Sequence, residues 1–249
     1  MIHSFLLIGQ SNMAGRGVIG SVPAIENPRL YVARNARWQH MFFPVNPDRP
    51  FSGLCLAESF ADAYSRDHDA DVGLIPCADG GTTLAQWEPG GLLYDHAVMQ
   101  ARLAMRTSLL RGILWHQGES DCSAEASAVY EEKLTAFFNA LRRDLGLSDL
   151  PILTGGLGDF VALYDEGMRC YYPEINRITK KISETLPGMA FVTAEGLGSK
   201  PDHLHFDAPA LREFGLRYYA AYRRIERPVD EGAAQPLEDG LTRTKIETL

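Results

Sequence analysis

The sequence has little of three features that each mark a class of protein. Its 4 cysteines include no Cys-x-x-Cys pair, so we expect reduced packing residues rather than a disulfide framework. It contains no apolar run of the roughly 18 residues that a membrane span needs, so no membrane partner is expected. It has no cluster of lysines and arginines, and its net charge is −8. Because an acidic surface repels phosphate backbones, a nucleic-acid partner is not expected either.

The amino-terminal segment is apolar but lacks the other marks of a secretion signal. Residues 1–9 have no basic region before their apolar stretch, and they run directly into Gln10, Ser11 and Asn12. The stretch is also short for a signal peptide and is more typical of a buried strand. The sequence therefore predicts a cytoplasmic protein.

Short apolar runs bounded by glycine or proline alternate with longer segments of helical periodicity. Strands that are apolar on both faces are typical of a parallel sheet covered by helices. We therefore expect one three-layer α/β/α domain over residues 1–227, with a five-stranded, mostly parallel sheet, and a carboxy-terminal tail over residues 228–249. Residues 29–41 alternate in polarity and indicate a hairpin or an insert. The predicted strands are 5–8, 72–75, 112–115, 151–154 and 190–193, and the predicted helices are 54–66, 92–110, 123–145, 172–186 and 208–225.

Polar residues follow several of these strands, where a parallel sheet binds its ligands. Ligands of open parallel sheets lie outside the carboxyl ends of the strands. Residues 9–13 follow the first predicted strand, 77–82 the second and 116–121 the third, while 202–205 precede the last helix. These four turns are therefore expected to build one site.

Ser11 follows the first strand and opens a helical segment. A serine there either caps the helix or acts as a nucleophile beside free N–H groups. A nucleophilic serine needs a base, for which His205 is the candidate. Asp202, three residues earlier, would hold one imidazole nitrogen and leave the other facing the serine. The alternative is that Asp202 caps the last helix and His205 only fills its first turn.

An oxyanion formed at this serine would need several hydrogen-bond donors. The Ser11 N–H, one N–H of Gly80 or Gly81, and the side-chain amide of Gln117 are the candidates. The alternatives are an ordinary turn at the glycine pair and a loop-capping amide. Glu119 would either orient Gln117, support the histidine or favour the helix that follows.

Four short motifs carry a resemblance to a known family. They are Gly9-Gln10-Ser11-Asn12-Met13, Gly80-Gly81-Thr82, Trp115-His116-Gln117-Gly118-Glu119 and Asp202-x-x-His205. In this order and spacing they resemble the sialate O-acetylesterase and carbohydrate esterase family 6 group of the SGNH hydrolases. The resemblance covers about residues 2–225. Gln117 stands where SGNH hydrolases usually carry asparagine, as it does in this subgroup.

The resemblance implies a flavodoxin-like α/β/α fold and an esterase domain of SGNH type. It implies that Ser11 is the nucleophile, His205 the general base and Asp202 its partner. The Ser11 N–H, one glycine of the pair and Gln117 would form the oxyanion hole, with Glu119 as an auxiliary or alternative acid. No metal and no cofactor are expected.

The substrate expected from the resemblance is an acetylated saccharide, either an acetylated xylo-oligosaccharide or an O-acetylated sialic acid. Gln10, Asn12 and Trp87 are candidates for contact with it. The alternatives are a short-chain lipid or thioester hydrolase of the same superfamily, a non-catalytic carbohydrate-binding domain, and a glycosidase using a carboxylate pair. The sequence does not predict the oligomeric state.

Overall fold

A computed structural model of the chain describes residues 1–167 and 169–228. The predicted tail, apart from residue 228, lies outside the described residues. Within them, seven strands form one sheet with six α-helices, of which none is both long and apolar enough to cross a membrane. The strands are β1 (Ile2–Gly9), β2 (Leu30–Arg34), β3 (Arg37–His40), β4 (Asp71–Pro76), β5 (Ser108–His116), β6 (Ile152–Gly155) and β7 (Met189–Val192). The helices are α1 (Ser11–Ala14), α2 (Ala57–His68), α3 (Leu92–Ala104), α4 (Ala124–Leu145), α5 (Tyr172–Thr185) and α6 (Ala208–Ile225).

The sheet has the strand order β3-β2-β4-β1-β5-β6-β7. All neighbouring strands are parallel except β2 and β3, which pair antiparallel, so the predicted mostly parallel sheet is confirmed. The five predicted strands form the run β4-β1-β5-β6-β7. Numbered among themselves, they follow the order 2-1-3-4-5 of flavodoxin-like sheets.

The predicted number of five strands is wrong, because residues 29–41 add two more. Strand β2 pairs in parallel with β4, with Leu30 opposite Val72, and β3 returns along its outer edge. Both strands are short, and β3 buries only Trp38. They therefore lack the continuous apolar run by which the central strands were predicted.

Strand β1 shows how the three layers are held together. Phe5 and Leu7 pack on one face of the sheet with α2 and α6, whereas Leu6 and Ile8 pack on the other with α3, α4 and α5. All four side chains are fully buried, and each such burial contributes roughly 1.5–3 kcal/mol. The predicted covering of the sheet on both faces is confirmed.

The ends of the helices follow local capping signals. The Ser123 side chain accepts the Ala126 N–H at the start of α4, and Gly146 ends that helix in the left-handed region at φ 71°. Asp207 caps α6 by accepting the Ala210 N–H, which fixes the turn just before the helix. Helix α3 ends six residues before its predicted end, because residues 108–110 begin strand β5.

Candidate active site

The turns after β1, β4 and β5 meet at one edge of the sheet. Gly9 ends β1 at φ 127°, and a Cβ at this position would collide with the backbone of His116 in β5. The Gln10 N–H donates to the His116 carbonyl at 2.9 Å. The sharp turn that leads into α1 and places Ser11 at its start therefore depends on a glycine.

Ser11, His205 and Asp202 form a hydrogen-bonded chain. The His205 Nε2 lies 3.0 Å from the Ser11 Oγ, and the His205 Nδ1 lies 2.9 Å from the Asp202 Oδ2. The other oxygen of Asp202 accepts the N–H groups of Leu204 and His205, each at 3.0 Å. The structure thus brings together the side chains predicted as nucleophile, base and acid.

The charge of Asp202 fixes the tautomer of the histidine. Partial burial raises the pKa of Asp202, but hydrogen bonds from the His205 side chain and from two backbone N–H groups outweigh it and lower the pKa to about 2. The ionised carboxylate accepts the Nδ1–H of His205. The Nε2 is then left as an acceptor for the Ser11 hydroxyl proton.

Asn12 binds the backbone on both sides of His205. Its Nδ2 donates to the Leu204 carbonyl at 3.1 Å and to the Glu119 Oε1 at 2.6 Å, and its Oδ1 accepts the Phe206 N–H at 3.1 Å. The side chain is buried and its polar atoms are engaged, which contradicts the predicted contact of Asn12 with substrate. It holds the histidine loop instead.

Glu119 is buried and reaches His205 only through Asn12. Burial raises the pKa of Glu119, but the neighbouring His116, whose Nε2 lies 3.1 Å away, and the Asn12 amide lower it below its usual range. Glu119 does not contact the His205 side chain, so Asp202 is the carboxylate placed beside that imidazole. Within the described residues, no group of three His, Cys, Asp or Glu side chains is arranged to hold a metal ion.

The side-chain amide of Gln117 is already occupied. Its Nε2 donates to the Thr82 carbonyl at 3.0 Å and to the Asp121 carboxylate, and its Oε1 accepts the Tyr130 hydroxyl at 2.9 Å. Both amide hydrogens are therefore used, which contradicts the prediction that Gln117 donates to an oxyanion. The amide instead anchors the turn that carries the glycine pair.

Only some of the predicted backbone donors are free. The Gly80 N–H donates to the Asp48 Oδ2 at 2.8 Å, so it is not available to a ligand. The N–H groups of Ser11 and Gly81 form no hydrogen bond within residues 1–167 and 169–228. Two of the predicted oxyanion donors thus remain.

Two further side chains predicted to contact substrate are buried. The Gln10 Oε1 faces the Gln117 Nε2 at 3.3 Å, beneath the site rather than at its surface. Trp87 is fully buried, its Nε1 donates to the Thr82 Oγ1 at 3.0 Å, and its ring packs edge-on against Trp115. This burial contradicts the predicted contacts of Gln10 and Trp87 with a sugar.

Sequence reasoning missed two charged residues beside the site. Arg16 and Asp48 form an ion pair at 2.7 Å, and their side chains are only 2% and 4% exposed. Asp48 lies between Pro47 and Pro50, outside every strand and helix predicted from the sequence. The signal that could have indicated them is Arg16, an arginine three residues after the Gln-Ser-Asn-Met motif. A charged side chain buried at that place needs a partner of opposite charge.

Comparison with known proteins identifies the family to which the chain belongs. Residues 1–224 match the protein family described as carbohydrate esterase, sialic acid-specific acetylesterase. The chain belongs to this carbohydrate esterase family. A probable carbohydrate esterase of Arabidopsis thaliana is 29% identical over 241 residues, covering 88% of this chain and 89% of the relative. The protein is thus a carboxylic ester hydrolase of the carbohydrate acetylesterase class, within the SGNH hydrolases.

Solved structures resemble this carbohydrate esterase in fold. A structure of the Arabidopsis thaliana protein superposes with a TM-score of 0.77 at 28% identity, covering 89% of this chain and 98% of that one. A carbohydrate acetylesterase from Xanthomonas citri gives 0.70 at 19% identity, covering 90% and 56%. NanS gives 0.69 at 18% identity, covering 90% and 97%. The last two show likeness of fold alone.

Proposed function

We propose that this carbohydrate esterase removes O-acetyl groups from saccharides through an acetyl-enzyme intermediate on Ser11. The observation that carries the proposal is the 3.0 Å contact between the Ser11 Oγ and the His205 Nε2, with the Asp202 carboxylate on the opposite ring nitrogen. Serine is a weak nucleophile at neutral pH, and this arrangement supplies the base that activates it.

In the first half-reaction the Ser11 Oγ attacks the acetyl carbonyl carbon while the His205 Nε2 takes the hydroxyl proton. The carbonyl oxygen becomes an oxyanion, which the free N–H groups of Ser11 and Gly81 stabilise. As the oxyanion collapses, the bond from the acetyl carbon to the sugar oxygen breaks. The sugar oxygen takes the proton from His205, so the sugar leaves as a neutral alcohol.

In the second half-reaction water replaces the sugar. His205 takes a proton from the water as its oxygen attacks the acetyl carbon, and the same N–H groups stabilise the second oxyanion. The bond to the Ser11 Oγ then breaks, and the serine recovers its proton from His205. Acetic acid leaves and loses its proton to the solvent, and the enzyme returns to its starting state without a cofactor.

The saccharide, in this proposal, lies against Phe51 rather than Trp87. The Phe51 side chain is 70% exposed, and the Arg16 guanidinium lies 5.3 Å from the centre of its ring. Arg16 itself lies against Gly80, next to Ser11. The Arg16 guanidinium thus lies between the Phe51 ring and the turn that carries Ser11. An exposed aromatic ring offers the apolar face on which the C–H groups of a sugar pack.

The proposed substrates are an acetylated xylo-oligosaccharide and an O-acetylated sialic acid. The test is acetate release from a panel of both, with the Ser11→Ala variant as control and p-nitrophenyl esters of increasing acyl length in parallel. Acetate release that depends on Ser11, together with rates that fall beyond short acyl groups, supports the proposal. A preference for long acyl chains would indicate a lipid or thioester hydrolase, and binding of saccharides without acetate release would indicate a binding domain.

A further inference from the structure

A loop that lies outside the four motifs in the sequence binds the turn that carries Gly80 and Gly81. This loop, residues 46–52, follows β3 and is called the 46–52 loop below. The Asn46 side chain bonds both backbone groups of Ala78, accepting its N–H at 3.0 Å and donating to its carbonyl at 2.9 Å. Arg49 donates to the Gly80 carbonyl at 2.9 Å. Side chains of the loop thus replace the pairing that a neighbouring strand would give.

Asp48 is the member of the loop that takes the Gly80 N–H. Its Oδ2 accepts that N–H at 2.8 Å and the Arg16 Nη2 at 2.7 Å. Its Oδ1 accepts the Arg16 Nη1 at 2.9 Å and the Ser52 hydroxyl at 2.7 Å. Four donors therefore fix both oxygens of the carboxylate, and charge-assisted hydrogen bonds of this kind are the stronger ones.

Asp48 keeps its charge in this buried position. Burial raises the pKa of Asp48, but the hydrogen bonds from Arg16 and Ser52 outweigh it and hold the pKa below its usual range. Breaking such a pair leaves a buried arginine without its partner, which strongly destabilises a folded protein.

Gly81 lies between two residues that are both held. On one side Gly80 has its N–H on Asp48 and its carbonyl on Arg49, and on the other side the Thr82 carbonyl accepts the Gln117 amide. Gly81 itself is exposed, adopts φ 80° and leaves its N–H without a partner in the described residues. Because Gly80 and Thr82 are both held by hydrogen bonds, the free N–H of Gly81 between them has a fixed position.

We infer that Asp48 is a positioning residue of the oxyanion hole. By taking the Gly80 N–H, it fixes the turn so that the Gly81 N–H, together with that of Ser11, meets the oxyanion. This role rests on the proposed esterase function. A donor that is held in place before the reaction needs no reorganisation when negative charge develops on the acetyl oxygen.

The test compares Asp48→Asn and Asp48→Glu with Glu58→Gln as a matched control. Glu58 is also buried, pairs with Arg212 and accepts a backbone N–H, that of Cys55, but it does not touch the glycine turn. All three variants perturb a buried carboxylate paired with an arginine. Asp48→Glu keeps the charge but displaces the carboxylate, so it serves where Asp48→Asn does not fold.

The readouts are kcat and KM for p-nitrophenyl acetate and the inhibition constant of methylboronic acid. The boron of methylboronic acid forms a bond to the Ser11 Oγ, whose proton passes to the His205 Nε2, and the product is a tetrahedral anion that resembles the transition state. We expect the Asp48 variants to lose about 10–100-fold in kcat with KM within about twofold, and to bind the boronic acid more weakly by a similar factor. Glu58→Gln is expected to melt at a lower temperature while keeping its kcat and its affinity for boronic acid.

A measurement on the wild-type enzyme tests whether the Gly81 N–H is the oxyanion donor, even if no Asp48 variant folds. On addition of methylboronic acid, the amide proton resonance of Gly81 should move downfield as it gains a hydrogen bond, while that of Gly80 stays in place. A shift at Gly80 instead, or folded Asp48 variants with unchanged kcat and inhibition constant, would overturn the assignment. A wild-type enzyme that hydrolyses no acetate ester would refute the proposed function itself, and this role with it.

Discussion

The side chains of Ser11 and His205 lie within hydrogen-bonding distance, at 3.0 Å, although 194 positions separate them in the chain. Strand β1 delivers the serine at its carboxyl end, and the turn before α6 delivers the histidine. The contact depends on Asp202 and Asn12, which hold the imidazole and its backbone respectively.

Asp202→Asn is expected to lower kcat strongly while leaving the stability of the folded protein nearly unchanged. An asparagine in this position no longer fixes the Nδ1–H tautomer of His205, so the Nε2 ceases to be a reliable acceptor for the serine proton. A loss of up to about 10⁴-fold in kcat is expected. Steady-state kinetics on p-nitrophenyl acetate measure it, with His205→Ala as reference; an Asp202→Asn enzyme of nearly wild-type rate would remove Asp202 from this role.

Asn12→Ala is expected to lower kcat while leaving KM nearly unchanged. The substitution removes the bonds to the Leu204 carbonyl and the Phe206 N–H, which hold the backbone on both sides of His205. A displacement of about 1 Å at the reacting atoms can cost about 10²-fold in rate. The opposite pattern, a raised KM with unchanged kcat, would return Asn12 to the substrate contact predicted from the sequence.

Phe51→Ala is expected to raise KM for an acetylated saccharide by about 2- to 10-fold, since a lost aromatic contact costs roughly 0.5–1.5 kcal/mol. The rate on p-nitrophenyl acetate, which has no sugar, should stay within about twofold of wild type. Phe42→Ala is the matched control, because Phe42 is also exposed and its ring also lies under an arginine, Arg34. Equal effects of the two substitutions on saccharide KM would rule out a specific sugar contact at Phe51.

Acid stability is expected to depend on His3, far from the site. Burial, helped by the charge of Arg111, lowers the pKa of His3 from 6.5 to about 4, so the folded protein keeps this ring neutral. Between pH 6.5 and 4 the unfolded chain binds the proton more readily, and the free energy of unfolding falls as pH falls. The shift corresponds to about 3 kcal/mol, complete near pH 4.

His3→Asn tests this account, because asparagine cannot be protonated yet offers the Tyr64 hydroxyl an acceptor in place of Nδ1. Urea unfolding at pH 7, 5.5 and 4 should show a shallower loss of stability in the variant than in the wild type. His40→Asn, at an exposed position on β3, should leave the wild-type pH dependence intact. Identical pH dependence in His3→Asn and wild type would refute the assignment.

The central part of the fold was predictable from the sequence because its strands are buried on both faces. Residues 5–8 and 112–115 are continuous apolar runs, and such runs are typical of covered parallel strands. Strands β2 and β3 were not predictable in number, since their half-polar patterns fit a hairpin or an insert equally well. Their position beside β4 depends on pairing between residues about 40 positions apart.

The site was predictable as a set of turns but not in the detail of its hydrogen bonds. Motif order led to Ser11, Asp202 and His205, which the structure brings together. The sequence could not show that the side-chain amides of Asn12 and Gln117 form hydrogen bonds with buried groups, because those groups belong to turns that are distant in the sequence. For the same reason it gave no indication that Asp48 holds Gly80.

Whether Ser11 is the nucleophile activated by His205 is measured by kcat/KM for p-nitrophenyl acetate in the wild type, Ser11→Ala, His205→Ala and the double variant. We expect each single variant to lose about 10⁴-fold or more and the double variant to be little worse than either, since the two residues act as one unit. A Ser11→Ala enzyme that retains a rate within tenfold of wild type would show that Ser11 is not the nucleophile.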